Sequence, residues 1–355
     1  MEIIIFLSAY ICFLGFFTYF GIKFFPKENY QVLCIIPVKK YKNGKWYGLN
    51  ITYYGLISAI SYTFAVFTFL ILTKSYSIKI QIIVISAILI LISCMPAARF
   101  MARIIEKKKN TFTISGAAFI GTLLSPIIFF ATSYLFTLDL NFARKIAFIL
   151  LSALSVSYIL GEGVGRLACI SFGCCYGKKV DEYHGVFKNF FNKFNTVFEG
   201  KTKKASYEGG CENIKTIPVQ SLSSIIYNTT GLIGIILFSL GYIKTCFVLT
   251  VVVANLWRFV TEFLRNDHRG TIKKYSNYQY FSFITIFYAF LIVLIFNVDI
   301  DKNGIFFDIK SGFNEIKNFW ITTFLLSIFV VSFIYTGISK VTYAKLEIEV
   351  FSKNI

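Results

Sequence analysis

Residues 161–177, GEGVGRLACISFGCCYG, decide the fold because they place charges at the end of an apolar run that begins near Ile146. Glu162 and Arg166 are four residues apart with the glutamate first, the order that pairs opposite charges on one helical face. A charge in hydrocarbon costs about 2.5–3.5 kcal/mol on insertion scales, so such a pair inside a membrane helix indicates a functional site. The alternative left open by the spacing is that Arg166 lies at the headgroup boundary and anchors the helix end.

The composition is that of an integral membrane protein with several spans. Of 355 residues, 56% are hydrophobic and only 15% are charged, and the mean hydropathy is +0.66. Apolar runs of about 20 residues, the length that crosses a bilayer, recur along the chain. They lie at about 3–22, 51–73, 80–104, 113–136, 143–173, 218–243, 245–265, 278–297 and 318–339.

These runs predict an all-α polytopic membrane bundle of seven core transmembrane helices with additional N- and C-terminal spans. The first run is interpreted as a retained span, because no basic residue precedes it and no cleavage pattern is evident. The predicted division is an N-terminal span and loop at 1–50, a core at 51–297 with an extramembrane insertion at 178–216, and a C-terminal span and tail at 298–355.

The net charge of +18 comes from lysines and arginines that lie mainly in the loops between the runs. Anionic headgroups attract such residues by about 1 kcal/mol each, so the membrane is the expected partner. No nucleic-acid partner is expected, because no RNA-binding motif or aromatic-basic stripe is present. In the insertion, the phenylalanine spacing fits either an amphipathic helix on the membrane surface or a small folded extramembrane cap.

A second charged constellation is NLWRFVTEFLRND at 255–267. Arg258, Glu262 and Arg265 are spaced so that all three project from one helical face. For Arg258, which follows a long apolar run, we predict a position facing the protein interior or a water-filled cavity. For Arg265 we predict a surface charge at the helix end.

The cysteines are interpreted as small buried thiols. Eight are scattered along the chain, and no disulfide framework follows from their positions. Cys169, Cys174 and Cys175 cluster in the central stretch, but their spacing is not that of a zinc knuckle and no histidine is near in sequence. The sequence therefore predicts no metal ligands and no cofactor.

Several short motifs, taken in order, resemble those of the prolipoprotein diacylglyceryl transferase family. GRLACISFGCCYG at 165–177 is similar to its signature, approximately GRxGNFxNGExxG, and RFVTEFLR at 258–265 is similar to RFxxEFxR. The resemblance covers about 51–297. YGL at 54–56 is similar to the opening of the family's first core helix, and Arg99 falls where the family has a small-residue segment that contains arginine. SGAAFIG at 115–121 is similar to the family's HGGLIG segment, and PVQ at 218–220 is similar to its PxQ motif. SNYQYFS at 276–282 is similar to the polar opening of its last core helix.

The resemblance implies an enzyme of the bacterial cell membrane. That family transfers the diacylglyceryl group of phosphatidylglycerol to the lipobox cysteine thiol of a preprolipoprotein, and glycerol phosphate is the other product. It implies that Arg166 and Arg258 bind the phosphate and that Glu262, the third catalytic residue, orients one of them. Two guanidiniums can hold a phosphodiester through bidentate hydrogen bonds. The implied substrate-binding residues are Tyr54, Arg99, Gly165, Cys169, Gly173, Cys174, Gly177 and Gln220.

The chain departs from the family's pattern at positions that bear on catalysis. Cys169 stands where the signature has Asn, Cys174 where it has Glu, and Gly116 where the HGG segment opens with His. No base that would deprotonate the acceptor thiol is identified. Two alternatives therefore stay open, a non-catalytic phospholipid-binding membrane protein and a relative that uses a different acceptor. A transporter is disfavoured because no repeated halves with broken helices are evident.

Overall fold

The computed structural model describes residues 2–105, 114–267, 271–272, 275–297 and 306–354. Over these residues the chain forms helices α1 (Glu2–Phe24), α2 (Tyr53–Lys74), α3 (Ile80–Ile105), α4 (Ile114–Thr137), α5 (Leu140–Phe172), α6 (Gly185–Lys193), α7 (Lys204–Tyr207), α8 (Val219–Ser239), α9 (Ile243–Leu264), α10 (Asn277–Phe296), α11 (Ile309–Ile316) and α12 (Phe319–Gly337). The strands are β1 (Val32–Lys40), β2 (Trp46–Thr52), β3 (Thr196–Val197), β4 (Lys215–Thr216), β5 (Thr271–Ile272), β6 (Tyr275–Ser276) and β7 (Ile338–Leu346).

The long helices confirm the predicted all-α polytopic membrane bundle. Within the described residues, eight helices are long and apolar enough to cross a membrane: α1, α2, α4, α5, α8, α9, α10 and α12. Helix α3 adds the apolar stretch Ile80–Cys94. The seven predicted core spans correspond to α2, α3, α4, α5, α8, α9 and α10, and α1 and α12 are the additional spans.

Helix α5 is the central element of the bundle. It packs against α1, α2, α4, α8 and α9, and most of its apolar stretch is buried. Its 33 residues extend about 50 Å at 1.5 Å per residue, well beyond the hydrocarbon thickness of about 30 Å. The C-terminal part of α5 carries Glu162 and Arg166, so its neighbours determine what surrounds those charges.

A three-stranded antiparallel sheet in the order β1-β2-β7 joins the two additional segments. Strand β2 leads directly into α2, and β7 follows α12. At that junction the hydroxyl of Thr52 donates to the carbonyl oxygen of Gly337 at 3.0 Å. The sequence did not predict this sheet: β1 and β2 are neighbours in sequence, but β7 comes from the opposite end of the chain. The domain boundaries at 50 and 297 stay predictions.

The insertion at 178–216 folds as a cap that covers the end of α5. Strands β3 and β4 pair within it, and Phe198, Ala205 and Cys211 are buried together with Tyr176. Helix α6 buries Phe191, whereas Phe187 is largely exposed. The insertion therefore combines a folded cap with a short helix that presents apolar side chains outward.

Lys203 anchors this cap to α5. Its side chain is buried, and Nζ donates to the carbonyl oxygens of Ser171 at 2.7 Å and Phe25 at 2.8 Å. Ser171 lies in the last turn of α5, where the helix dipole favours a cation. Burial lowers the pKa of Lys203 from its ordinary value of 10.5 to about 7, while the charges of Glu28 and Glu199 oppose that shift.

Stability is expected to rise with pH between about 7 and 10.5. The unfolded chain keeps the Lys203 proton up to its ordinary pKa, whereas the folded protein releases it near 7. The unfolded state therefore binds more protons in this window, and the free energy of unfolding increases by up to about 1.4 kcal/mol per pH unit. Below the folded pKa both states hold the proton and the dependence disappears.

Lys203→Met should reduce this slope, measured by denaturant unfolding in detergent across the window. The matched control is Lys204→Met, because Lys204 pairs with Glu208 at a partly exposed position. An unchanged slope in Lys203→Met would contradict the assignment to this ammonium.

Candidate active site

One face of α5 carries three polar side chains at four-residue spacing: Tyr158, Glu162 and Arg166. Arg166 donates through Nη2 to Oε1 of Glu162. From α9, Arg258 donates through Nη2 to Oε2 of Glu162 at 2.7 Å and to the hydroxyl of Tyr158 at 2.8 Å. The two arginines, which belong to different helices, therefore meet on one carboxylate.

This cluster of Glu162, Arg166 and Arg258 is charged and largely withdrawn from solvent. The exposed side-chain fractions are 9% for Glu162, 12% for Arg258 and 15% for Arg166. Removal of charges from water is costly unless they are paired and hydrogen-bonded. Two guanidiniums against one carboxylate leave one positive charge in excess, so a monoanion has the charge that would neutralise the cluster.

Each arginine also keeps a buried donor for which no described residue is an acceptor. The Nε atoms of Arg166 and Arg258 are buried and have no hydrogen-bond partner. An unpaired buried donor costs about 1–3 kcal/mol, and a phosphate oxygen is a strong acceptor for a guanidinium. A cavity of about 30 Å³ borders Arg258 and Tyr158, room for a water molecule or two. Any ligand larger than water would need these side chains to open.

Helix α8 provides a third wall through Tyr227. The guanidinium carbon of Arg166 lies 5.8 Å from the centre of the Tyr227 ring, a cation–π distance. The Tyr227 hydroxyl donates to the carbonyl oxygen of Ala254 at 3.2 Å. Sequence reasoning missed this ring, because nothing local indicates which residue of α8 faces α5. It also missed Tyr158, although the spacing could have indicated it: Tyr158 lies four residues before Glu162 and therefore shares its helical face.

The chain turns back sharply at the end of α5. Gly173 adopts a left-handed φ of 78°, a conformation that suits glycine, and the amides of Gly173 and Cys174 both donate to the carbonyl oxygen of Cys169. This turn brings the Sγ atoms of Cys169, Cys174 and Cys175 within 4.8 Å of one another. All three are half-buried, so these thiols are more exposed than the interpretation as small buried thiols predicts.

Gln220 connects the first turn of α8 to this loop. Its Nε2 donates to the carbonyl oxygen of Cys174 at 2.8 Å, and the side chain is buried. Its Oε1 is buried as well, and no described residue donates to it. Gln220 therefore faces inward beside the cysteines, with a free acceptor.

Arg265 is buried, which corrects the prediction that it is a surface charge. Only 8% of the residue is exposed, and its Nε and Nη2 each donate to an Asp267 carboxylate oxygen at 2.7 Å. The chain after α5 covers this position: Gly177 forms a β-bridge with Arg265, and the amide of Asn266 donates to the carbonyl oxygen of Tyr176 at 3.0 Å. The end of α9 is thereby fixed to the cysteine-containing loop.

Tyr54, another predicted residue, lies beside the cysteines. Its ring centre is 5.7 Å from that of Phe172, and it is within electrostatic reach of all three thiols. Gly165 faces α2, where an added Cβ would come within 3.1 Å of the Ser61 hydroxyl. At Gly177 an added Cβ would clash with the carbonyl oxygen of Ile217. These glycines allow close packing around the loop.

Two predicted residues are not brought to the arginine pair by the described contacts. Glu262 is half-buried on α9, one turn beyond Arg258, and lies within electrostatic reach of Arg265. Glu162, and not Glu262, bonds to both Arg166 and Arg258. Arg99 is exposed on α3. The roles of Glu262 and Arg99 stay predictions.

The bundle and its charged cluster define a polytopic membrane protein with an electropositive site held between α5, α8 and α9. Residues 45–295 match the family model of prolipoprotein diacylglyceryl transferase. The chain belongs to the prolipoprotein diacylglyceryl transferase family, and the family predicted from the ordered motifs is confirmed.

Two curated relatives are similar over part of their length. Phosphatidylglycerol–prolipoprotein diacylglyceryl transferase of Clostridium tetani (strain Massachusetts / E88) is 30% identical over 149 residues, 40% of this chain and 50% of that protein. Phosphatidylglycerol–prolipoprotein diacylglyceryl transferase 2 of Clostridium perfringens (strain 13 / Type A) is 27% identical over 146 residues, 39% of this chain and 48% of that protein. The chain thus spans about half the length of the curated relatives it matches. No solved structure matches the chain.

Proposed function

We propose that this protein transfers the diacylglyceryl group of phosphatidylglycerol to the lipobox cysteine thiol of a preprolipoprotein in the bacterial cell membrane. The observation that carries the proposal is the meeting of Arg166 and Arg258 on Glu162, in a chain of the prolipoprotein diacylglyceryl transferase family. The names of both relatives contain phosphatidylglycerol and prolipoprotein.

In this mechanism the arginine pair binds the phosphodiester, whose single negative charge matches the excess positive charge of the cluster. The Nε donors of Arg166 and Arg258, which have no acceptor in the described residues, are available to phosphate oxygens. Glu162 holds both guanidiniums in place, so little orientation has to be gained during the reaction.

Before the transfer step the acceptor thiol loses its proton to water. The resulting thiolate sulfur attacks the glyceryl carbon that carries the phosphate. The carbon–oxygen bond breaks, its electron pair passes to the phosphate oxygen, and glycerol phosphate leaves with one more negative charge than the diester had. Arg166 and Arg258 stabilise this developing charge, an effect that is strong where water is excluded. Glu262 is proposed to orient an arginine, and the proposed substrate-binding residues are Tyr54, Arg99, Gly165, Cys169, Gly173, Cys174, Gly177 and Gln220.

A second candidate function is phospholipid binding without turnover. It is favoured by Gly116, which stands where the family's pattern has a histidine, and by Cys169 and Cys174, which stand where the signature has Asn and Glu. This alternative predicts that phosphatidylglycerol binds to the arginine pair and is recovered unchanged.

The deciding experiment incubates the full chain in detergent with phosphatidylglycerol labelled in its acyl chains and a synthetic lipobox peptide. We expect the peptide to gain the mass of one diacylglyceryl group and glycerol phosphate to be released in equal amount. The matched control is the same peptide with serine in place of its cysteine, which should stay unmodified. Lipid binding without either product would contradict the transfer and support the binding protein.

A further inference from the structure

The three-thiol cluster at the end of α5 is not used by the arginine chemistry. Cys169 lies in the last turn of α5, and Cys174 and Cys175 follow the turn at Gly173. Their Sγ atoms lie within 4.8 Å of one another. In a tetrahedral zinc site with zinc–sulfur bonds of about 2.3 Å, neighbouring sulfurs are ~3.8 Å apart. The three thiols therefore need to move by no more than about 1 Å to share one zinc ion.

The donor set has three members and an open fourth position. Among the described residues no histidine, aspartate or glutamate joins the three cysteines as a possible ligand. Structural zinc sites use four protein ligands, whereas catalytic sites use three and leave the fourth position to water or substrate. Soft thiolate ligands favour zinc over magnesium or calcium. The geometry is that of a zinc site able to accept a further ligand.

The surroundings suit the charge of such a site. Three thiolates and one zinc ion carry one net negative charge, and Arg166 lies within electrostatic reach of Cys169 and Cys175. Arg265 lies within reach of Cys175. The hydrogen bond from Gln220 to the carbonyl oxygen of Cys174 fixes the loop, as outer partners do at metal sites.

The transfer reaction requires the acceptor thiol to lose its proton, and this chain offers no histidine for that task in the described bundle. The sequence contains two histidines; His184 is exposed at the start of α6, and His268 is outside the described residues. A thiol bound to zinc is deprotonated by the metal itself. The cluster lies beside the face of α5 that carries Arg166, the place where an acceptor would be needed.

We propose that Cys169, Cys174 and Cys175 bind a zinc ion whose fourth position takes the acceptor thiol as a thiolate; this rests on the proposed transfer. The acceptor proton passes to water when the zinc–sulfur bond forms. The bound sulfur then forms its bond to the glyceryl carbon while the carbon–oxygen bond breaks, and the electron pair leaves on the phosphate held by the arginines. The resulting thioether is a weak ligand and dissociates.

The first test is metal content. The full chain purified in detergent without chelator should contain close to one zinc per chain, measured by plasma mass spectrometry. Cys169→Ser, Cys174→Ser and Cys175→Ser should each lose most of it. Cys12→Ser and Cys34→Ser are the matched controls, because both cysteines are exposed elsewhere, and they should retain the zinc of the parent. Equal zinc in parent and cluster variants would overturn the proposal.

The second test needs no variant. The parent protein loaded with cobalt should show thiolate-to-cobalt charge-transfer bands and the intense visible bands of tetrahedral cobalt. A lipobox peptide should shift the visible bands, and the peptide with serine in place of cysteine should not. Absence of these bands, or recovery of a Cys174–Cys175 disulfide from the unreduced folded protein, would overturn the site.

The two proposals fail in different ways. Transfer by protein that contains no zinc and gains no activity from zinc would overturn the zinc inference while the transferase function stands. Peptide-dependent cobalt spectra without any transfer would support the thiol site and contradict the proposed function.

Discussion

Arg258→Ala is expected to lower kcat/KM for diacylglyceryl transfer about 100- to 1,000-fold, the loss found when one donor to a developing oxyanion is removed. Arg258 combines hydrogen bonds to Glu162 and Tyr158 with a free buried Nε. Because the phosphate gains charge as the carbon–oxygen bond breaks, the missing donor matters more in the transition state than in the bound lipid. Most of the loss should therefore fall on kcat.

The comparison variants separate charge, geometry and folding. Arg258→Lys keeps the charge but not the planar fork of donors, so it should recover only part of the activity. Arg144→Ala is the matched control, because Arg144 is exposed at the start of α5 and borders a separate apolar groove. Its activity should equal that of the parent. Turnover by Arg258→Ala at the parent rate would remove Arg258 from the mechanism, and the thermal unfolding midpoint of each variant shows whether the bundle is intact.

The sequence predicts the helices well where local composition alone determines them. The run at 80–104 is observed as Ile80–Ile105, and the run at 278–297 as Asn277–Phe296, because about 20 consecutive apolar residues have few alternatives to a membrane helix. The sheet of β1, β2 and β7 was missed for the opposite reason. Its strands come from the two ends of the chain, and the side-chain pattern of either end does not indicate the partner.

The same contrast applies to the site. The spacing of Glu162 and Arg166 predicts their pairing, since both lie on one helix. The bonds from Arg258 to Glu162 and Tyr158 depend on how α9 packs on α5, and a single sequence gives only the inward direction of that arginine. The contact between Arg166 and Tyr227 depends on how α8 packs on α5. The approach of the three thiols depends on the turn at Gly173. Neither was predicted in detail.

Glu162→Gln is expected to lower the free energy of unfolding by about 3–5 kcal/mol, the cost of removing one partner from a buried ion pair. The carboxylate of Glu162 accepts from both Arg166 and Arg258. With a neutral amide in its place, two guanidiniums face each other without a counter-charge inside the bundle. The measurement is reversible unfolding in mixed detergent micelles, supported by a fall in the thermal unfolding midpoint.

Two comparisons make this expectation specific to the buried cluster. Asp181→Asn removes the carboxylate partner of Lys188 in an exposed ion pair, where 79% of the aspartate and 37% of the lysine side chain are exposed, so its cost should stay within about 1 kcal/mol. The double variant Glu162→Gln/Arg166→Met removes one positive charge together with the negative one, and should therefore be more stable than Glu162→Gln alone. If Glu162→Gln unfolds like the parent, Glu162 does not hold the arginines together. If phosphatidylglycerol restores the stability of Glu162→Gln more than that of the parent, its phosphate replaces the lost carboxylate between Arg166 and Arg258.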